Sequence, residues 1–451
     1  MVKVSNKNYL LTILTVILAF NYLDRLALGL MFQDIKIDLQ LSDTQLGFLG
    51  GLAFALFYAV MGIPIARWAD RSNRVTIISL TAAIWSIAVA LCGLANSFVQ
   101  LLFIRIAVAI GEAGCTPPGF SLIASYFSRS ERARASAIYG LGGPISCLFG
   151  YFLAGWLNEL YGWRMTFVLL GIPGIALALV AWITLKDPWR QQQAIARQQS
   201  ERAPRQISMK DVCVTLWSIV TFRSLLLCLS VMAFFTYGIF QWQPAFIMRT
   251  YGLTSGETGT WFAVTYGVCG IVGSWLGGDL ASRYAARKER LQLQALTVTL
   301  LLAGVLSLGV YLAPTHQVAF VLMGLYALML TTINGPLFAM IQSLVPEQTR
   351  AVSFAWVYLF MNLIGMGLGP LAAGALSDAF RPLVAEESLR YALIAMTPGF
   401  VFVAWYAWRA AGTVEHDLQA AQNTRDTLGE ESRGEGAMAA AFEPSVRTAG
   451  H

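Results

Sequence analysis

Long apolar stretches constrain this chain more than any other feature of its sequence. Runs of about 20 apolar residues recur up to residue 408, and a helix of that length crosses the ~30 Å hydrocarbon layer of a bilayer. Hydrophobic residues make up 57% of the 451 residues and charged residues only 12%, whereas soluble domains carry roughly 25% charged residues. The sequence therefore predicts an all-α polytopic membrane protein and argues against a soluble globular fold.

Twelve apolar stretches are separated by loops, and we expect each to form one transmembrane helix. The first six predicted spans are 9–31, 44–65, 75–94, 98–120, 135–156 and 165–185. The second six are 224–246, 258–280, 295–311, 317–343, 352–376 and 391–408. The first run is too long for a cleavable signal peptide and is interpreted as span one.

The two sets of six spans resemble each other. ERARA at 131–135 is echoed by EQTRA at 347–351, which lies 216 positions later, and spans five and eleven share similarly spaced glycines. Parallel six-span repeats characterise one large class of transporters, so we expect two pseudo-symmetric six-helix bundles. The predicted regions are an N-terminal bundle (1–185), a cytoplasmic central loop (186–222), a C-terminal bundle (223–410) and a disordered cytoplasmic tail (411–451).

Basic residues accumulate in alternate loops. The N-terminal segment and the loops after spans two, four, six and eight carry most of the Lys and Arg residues near the spans. The opposite loops carry few, namely Lys36, Arg164, Arg249, Arg381 and Arg390. By the positive-inside rule we expect an integral protein of the inner (plasma) membrane with both termini in the cytoplasm. This pattern accounts for the formal net charge of +6 without any binding of nucleic acid.

Span four carries two charges that need a physical reason. Arg105 and Glu112 lie inside the apolar stretch 98–120, where each ionised group costs roughly 2.5 to 3.5 kcal/mol or more. Helical rise counted from the membrane edges places Arg105 level with Asp24 in span one, so these two are expected to pair. Glu112 lies two turns, ~10 Å, nearer the cytoplasm and is not expected to share that pair. Arg25 is turned by ~100° from Asp24 and is expected to face the substrate or the second half.

The two carboxylates are the candidate proton sites. The histidines lie in a connection or in the tail: His316, His416 and His451. A proton relay within the membrane must therefore use carboxylates, and an adjacent arginine opposes protonation until it is drawn away. We expect Asp24 or Glu112 to bind the coupling proton, and Arg105 with Arg25 to bind an anionic head group. The alternative is that these charges form a fixed pair that sets the register of the helices.

Several motifs resemble those of the major facilitator superfamily. Residues 62–74 read GIPIARWADRSNR, which is similar to that superfamily's loop between spans two and three, and Arg105 occupies the place of its span-four arginine. The spinster-like subfamily has motifs similar to NYLDR at 21–25, GEA at 111–113, YGWRMTF at 161–167 and KDP at 186–188. Eukaryotic members of this subfamily transport lysolipids and sphingosine phosphate, some of them with protons. The resemblance extends over all twelve spans and implies a bacterial, proton-linked carrier of lipid-like or other amphipathic anions.

The resemblance also implies that spans one, four, seven and ten line a central cavity. In span seven, Tyr237 and Gln241 lie one turn apart on one face. Asn334 in span ten and Asn362 in span eleven add polar groups at depth. These side chains are candidates for contacts with an amphipathic substrate. Alternatively, the polar side chains join membrane helices to one another and the aromatic ones face lipid.

Charged residues next to the spans form a candidate cytoplasmic gate. Its candidate residues are Asp70, Arg71, Arg74, Arg134 and Arg350. Asp70 could cap a helix terminus or pair with a basic residue when the cavity faces outward. Alternatively, the first three lie in a solvated loop and the last two determine membrane topology.

The predicted function is proton-coupled secondary active transport of an amphipathic, lipid-like small molecule by alternating access. A proton-independent facilitator or a multidrug-type exporter is the alternative. An enzyme is not expected, because the sequence lacks G-x-S-x-G, H-E-x-x-H and Walker A motifs, and a sensor would need a soluble output domain. Six cysteines without ligand spacing argue against a metal site, and no cofactor is expected. The expected partners are the substrate, protons and membrane lipids, for a monomer that binds no nucleic acid.

Overall fold

The computed structural model describes residues 6–128, 130–187, 209–284, 288–345 and 349–441, in which the chain forms helices joined by short connections. The helices of the first half are Lys7–Leu30 (span one), Phe32–Leu39, Asp43–Gly50 and Leu52–Arg71 (span two), Arg74–Cys92 (span three), Phe98–Glu112 and Thr116–Tyr126 (span four), and Arg132–Gly140, Gly142–Ile145, Ser146–Gly150 and Tyr151–Thr184 (spans five and six).

The helices of the second half follow a corresponding order. They are Met209–Ser218, Val220–Tyr251 (span seven), Ser255–Phe262, Ala263–Val268 and Cys269–Tyr284 (span eight), Glu289–Leu312 (span nine), His316–Leu344 (span ten), Arg350–Phe360, Met361–Leu368 and Gly369–Val384 (span eleven), and Ala385–Glu387, Ser388–Met396 and Gly399–Ala441 (span twelve). Nine helical stretches among the described residues are long and apolar enough to cross a membrane. Two of them, Arg134–Thr184 and Val352–Ala420, each contain two predicted spans.

Corresponding spans of the two halves begin in the same way. Ser42 and Gln45 form a capping box at the start of span two, in which each side chain accepts a hydrogen bond from the other residue's backbone N–H. Thr254 and Glu257 form the equivalent box at the start of span eight. Such boxes satisfy two of the backbone donors that a helix leaves unpaired at its N-terminus. The repetition agrees with the predicted pair of pseudo-symmetric six-helix bundles, which the structure confirms.

A glycine makes the connection between spans five and six. Within the segment Tyr151–Thr184, Gly162 has φ 75° and ψ 165°, and its neighbours on both sides are helical. Residues with a Cβ atom rarely adopt positive φ, so glycine is required at this reversal.

The last helix extends beyond the membrane-spanning part of the chain. Composition predicts disorder after residue 410, yet the helix continues to Ala441. Residues 411–441 contain no proline and many alanines, and extending an existing helix needs no new nucleus. Residues 442–451 and most of the predicted central loop lie outside the described residues.

The two halves meet through backbone contacts at glycines. We call the face at which span one begins the first face, and the opposite one the second face. A Cβ atom added to Gly47 would lie 2.3 Å from Pro370 O, and one added to Gly51 would lie 2.5 Å from Gly367 O. Eleven residues after Gly51, and therefore on the same side of span two, Gly62 has open space around it. Spans two and eleven therefore touch near the second face and diverge toward the first.

Spans five and eight touch in the same way. A Cβ atom added to Gly155 would lie 2.5 Å from Ser255 O, and one added to Gly259 would lie 2.3 Å from Tyr151 O. The Gly-rich stretches of spans five and eleven thus serve close helix packing. With both seams at the second face, the cavity between the halves opens toward the first face.

We expect the Gly47→Ala variant to be destabilised by about 1–3 kcal/mol, because the new methyl group overlaps the Pro370 carbonyl in a closely packed contact. Thermal unfolding of the purified protein in detergent measures the effect. Gly143→Ala is the matched control, since a Cβ atom there meets nothing within 4 Å. Equal melting temperatures for the two variants would contradict the description of this seam.

Candidate functional site

An ion pair joins spans one and four inside the first half. Arg105 Nη1 donates to Asp24 Oδ2 at 2.9 Å, and the two residues are 1% and 2% exposed. The depth estimate from the sequence placed these side chains level with each other, and the geometry agrees. Burial of both charges is tolerable only because each is the other's counter-ion.

A second ion pair lies beside the first. Arg25 donates to Glu112 Oε2 from Nε at 2.7 Å and from Nη2 at 2.5 Å. The Glu112 carboxyl group also lies within interaction range of Asp24 and Arg105. The hydrogen bonds thus form two pairs, in which Glu112 has Arg25 and Asp24 has Arg105 as the counter-ion. The rise estimate did not indicate the Arg25–Glu112 pair, because it ignored the reach of the Arg25 side chain.

Two oxygens of this four-charge cluster have no donor. Among the described residues, neither Asp24 Oδ1 nor Glu112 Oε1 accepts a hydrogen bond, although both atoms are buried. Buried carboxylate oxygens nearly always have hydrogen-bond partners, and a protonated carboxyl group can donate to another carboxylate. The cluster therefore contains two buried carboxyl oxygens that are open to a hydrogen-bond donor.

Aromatic rings of span two cover the cluster. The Arg25 guanidinium carbon lies 4.5 Å from the centre of the Phe54 ring and 5.0 Å from that of Tyr58. The corresponding distance from Arg105 to Phe54 is 5.4 Å. Neither ring was predicted from the sequence, although their four-residue spacing, which places them on one face of span two, could have indicated them. They hold the guanidinium groups by cation–π contacts.

Tyrosines from four spans lie on the cavity side of the cluster, namely Tyr22, Tyr58, Tyr237 and Tyr358 from spans one, two, seven and eleven. The Arg25 guanidinium carbon lies 5.3 Å from the centre of the Tyr22 ring and 5.0 Å from that of Tyr58. Tyr22, Tyr237 and Tyr358 are 39%, 37% and 51% exposed although they lie between the halves. Of the four, sequence analysis proposed only Tyr237. Arg25 reaches the second half as expected, with Nη1 3.6 Å from Met366 Sδ.

The three predicted amide residues, Gln241, Asn334 and Asn362, lie in different environments. Gln241 packs between spans one and two, with its Nε2 atom 2.9 Å from where a Cβ atom of Gly29 would lie. Asn334 is exposed and Asn362 is half-buried, and neither donates to or accepts from the charge cluster in the described part of the chain. The structure therefore brings Tyr237 to the site, and Gln241 to the contact between the halves.

The predicted gate residues lie at the first face. Arg74 is buried and forms an ion pair with Asp187, with Nη2 2.6 Å from Oδ1, and its Nη1 donates to Ser125 Oγ at 2.7 Å. The motif at 62–74 therefore meets Asp187 of the later motif within the first half. Arg71 and Arg134 are exposed and Arg350 is half-buried, while the side chain of Asp70 lies outside the described residues.

A buried carboxylate joins the halves at the second face. Asp43, which is 1% exposed, accepts from Arg249 Nη1 at 2.8 Å and Nη2 at 2.9 Å, from Lys36 Nζ at 2.6 Å and from Ser377 Oγ at 2.6 Å. Asp378 accepts from the backbone N–H of Thr44 at 2.7 Å. Sequence analysis counted Lys36 and Arg249 only as loop charges, because nothing in one sequence shows which distant partners meet. We call this set the second-face lock.

Comparison with known proteins identifies the family. A family model for the Major Facilitator Superfamily matches residues 14–370. The chain belongs to this superfamily. An MFS-type efflux pump of Mycolicibacterium smegmatis is 30% identical over 413 residues, which are 90% of this chain and 93% of the pump. The probable galactarate/D-glucarate transporter of Bacillus subtilis is 28% identical over 299 residues, covering 61% of this chain and 65% of that transporter.

A solved structure extends the likeness to the whole fold. The inward-facing, unoccupied bacterial homolog of the human lysosomal transporter Spinster matches with a TM-score of 0.80 and 31% identity over 91% of this chain and 98% of that one. The resemblance to spinster-like transporters is thereby confirmed. The superfamily member described here is an integral membrane transporter of small molecules, and it is not an enzyme.

Proposed function

We propose that this transporter couples the movement of protons to that of an amphipathic, lipid-like anion by alternating access. The observation that carries this proposal is the buried cluster of two arginines and two carboxylates beside the cavity, with one donor-free oxygen on each carboxylate. Intramembrane ionisable groups that face a cavity are typical of proton relays.

The proposed proton site lies between Asp24 Oδ1 and Glu112 Oε1. With both carboxylates ionised, their charges balance those of Arg25 and Arg105, and one added proton leaves the cluster with a net positive charge. A substrate anion that draws Arg25 away from Glu112 leaves a carboxylate that binds a proton more readily. By linkage, the proton then favours binding of the anion to the same extent.

The proposed substrate site is the space around Arg25 and the four tyrosines. Arg25 is partly exposed and binds an anionic head group through its guanidinium fork, while the phenol rings contact an apolar portion. A sugar acid is the second candidate, because four phenol groups supply hydrogen bonds to a polyhydroxylated carboxylate and a relative is named for galactarate and D-glucarate. A proton-independent facilitator and a multidrug-type exporter remain as outcomes of the flux test.

The orientation proposed from the loop charges places the first face in the cytoplasm. Both termini then lie inside the cell, and the open cavity faces the cytoplasm. This agrees with the inward-facing state named for the matching bacterial structure. Rocking of one bundle against the other would expose the same site to the opposite side.

We expect the Glu112→Gln variant to lose pH-gradient-driven uptake by at least about tenfold, since an amide cannot exchange the proton that the site requires. Uptake of lysophosphatidylglycerol and of glucuronate into proteoliposomes, with and without a pH gradient, measures the effect. Glu131→Gln is the matched control, because that carboxylate lies exposed at the first face, paired with Lys7.

The outcomes of this flux experiment are distinct. Retention of gradient-driven uptake by Glu112→Gln would remove Glu112 from the coupling mechanism. Wild-type uptake that ignores the pH gradient would instead identify a facilitator. The preferred solute decides between a lipid-like anion and a sugar acid.

A further inference from the structure

A polar cavity at the second face has no role in the proposed proton step. We infer that it is a binding site for a small oxyanion, a carboxylate or a phosphate group. The cavity has a volume of about 400 Å³ and lies between the halves, beside the second-face lock. Its walls come from the short helix Phe32–Leu39 in the first half and from the ends of spans seven and eleven in the second.

The charges in the cavity wall favour an anion. Three cations line it, Lys36, Arg249 and Arg381, together with one carboxylate, Glu386. Lys36 and Arg249 share the single carboxylate of Asp43, so one negative charge serves two positive ones. Arg381 is exposed, and the described residues give it no ion-pair partner. The wall therefore carries more positive charge than its own acids neutralise.

The side-chain chemistry narrows the ligand class. Arginine presents a planar fork that matches the two oxygens of a carboxylate or phosphate, and lysine adds a compact charge. A cavity of this size admits a sugar acid or a phosphate ester head group, whereas the polar wall does not favour an apolar chain. The ligand is therefore expected to be recognised by its oxyanion group.

Binding in this cavity would act on the second-face lock. Arg249 and Lys36 give Asp43 three hydrogen bonds, and a bound oxyanion would compete with that carboxylate for the same two cations. A ligand that arrives from the second face would therefore weaken the ion pairs that hold the halves together there. Binding of a solute in this cavity would therefore favour opening of the second face.

Equilibrium binding of radiolabelled phosphate and glucuronate to the full chain in phosphatidylcholine nanodiscs tests the inference. No pH gradient is applied, so the result does not depend on proton coupling, and ionic strength is held constant. We expect Arg381→Gln to weaken binding by about tenfold, Arg381→Lys to weaken it less, and Glu386→Gln to strengthen it. Arg390→Gln is the matched control, since Arg390 lies on the same face, outside the cavity wall, paired with Glu387 at 2.6 Å.

The arms of the experiment separate a soluble ligand from a lipid. Binding of glucuronate or phosphate that depends on Arg381 identifies a site for soluble oxyanions. If phosphatidylglycerol nanodiscs stabilise the parent protein and the Arg381→Gln variant loses this stabilisation, a lipid head group is the source of the oxyanion. Equal affinities for the parent, Arg381→Gln and Arg390→Gln, with no lipid effect, would overturn the inference.

Discussion

The Arg105→Gln variant is expected to have a free energy of unfolding about 3–5 kcal/mol below that of the parent, because loss of one partner leaves a buried charge without its counter-ion. The Asp24 carboxylate is 2% exposed and would lose the guanidinium that now lies 2.9 Å away. The Phe54 ring would lose its cation contact at 5.4 Å as well. Denaturant unfolding in detergent micelles measures the change.

The double variant Asp24→Asn with Arg105→Gln separates an architectural pair from a functional one. Removal of both charges is expected to restore much of the stability that the single variant loses, and the double-mutant cycle gives the coupling energy. If the double variant also transports like the parent, the pair serves only to set helix register. Stability regained without transport supports the proposed role in binding an anion and a proton. Lys7→Gln, which breaks an exposed pair, is the control and is expected to leave stability unchanged.

The Asp43→Asn variant is expected to open the second face. Asp43 holds Arg249 from the second half and Lys36 from the first, so its loss leaves two cations facing each other across the seam. Loss of one partner of a buried pair costs about 3–5 kcal/mol, which approaches the ~5.5 kcal/mol that reverses a 99:1 population ratio. Labelling of an introduced cysteine at Leu371, whose Cα lies 3.0 Å from where a Cβ atom of Gly47 would lie, by a membrane-impermeant maleimide reports the opening.

Asp38→Asn provides the matched control for this labelling. Asp38 lies at the same face and pairs with Arg164 at 2.8 Å, but both residues belong to the first half and are partly exposed. We expect faster labelling with Asp43→Asn and unchanged labelling with Asp38→Asn. The parent protein without the introduced cysteine corrects for the native cysteines. Equal labelling rates in the two variants would show that Asp43 does not hold the face closed.

The positions of the spans and the Asp24–Arg105 ion pair could be predicted from the sequence, because they depend on apolar length and helical rise. Apolar length sets where a helix crosses the bilayer, and a rise of about 1.5 Å per residue placed Arg105 level with Asp24. The same count did not reveal the pair of Arg25 with Glu112, because the Arg25 side chain is long enough to span the remaining gap.

Contacts between the halves could not be derived in this way. Asp43 and Arg249 are separated by 206 positions, and their meeting depends on how two bundles are docked. Charges near loop ends are therefore easily interpreted as topology determinants alone. The Phe54 and Tyr58 rings were missed for a related reason: aromatic residues are common in every span, and only a known neighbour such as Arg25 marks them as part of a site.

The glycine seams have a consequence for how fast the halves can separate. At Gly47 and Gly51 the nearest atoms of span eleven are backbone atoms. Backbone surfaces that meet in this way can part without a change of rotamer. Separation then requires release of the polar contacts beside the seams, including those of Asp43 and of Asp378 with Thr44. Motion on the microsecond-to-millisecond scale of domain hinges is expected. The glycine seam itself therefore offers little resistance to separation, and the ion pairs beside it hold the two halves together.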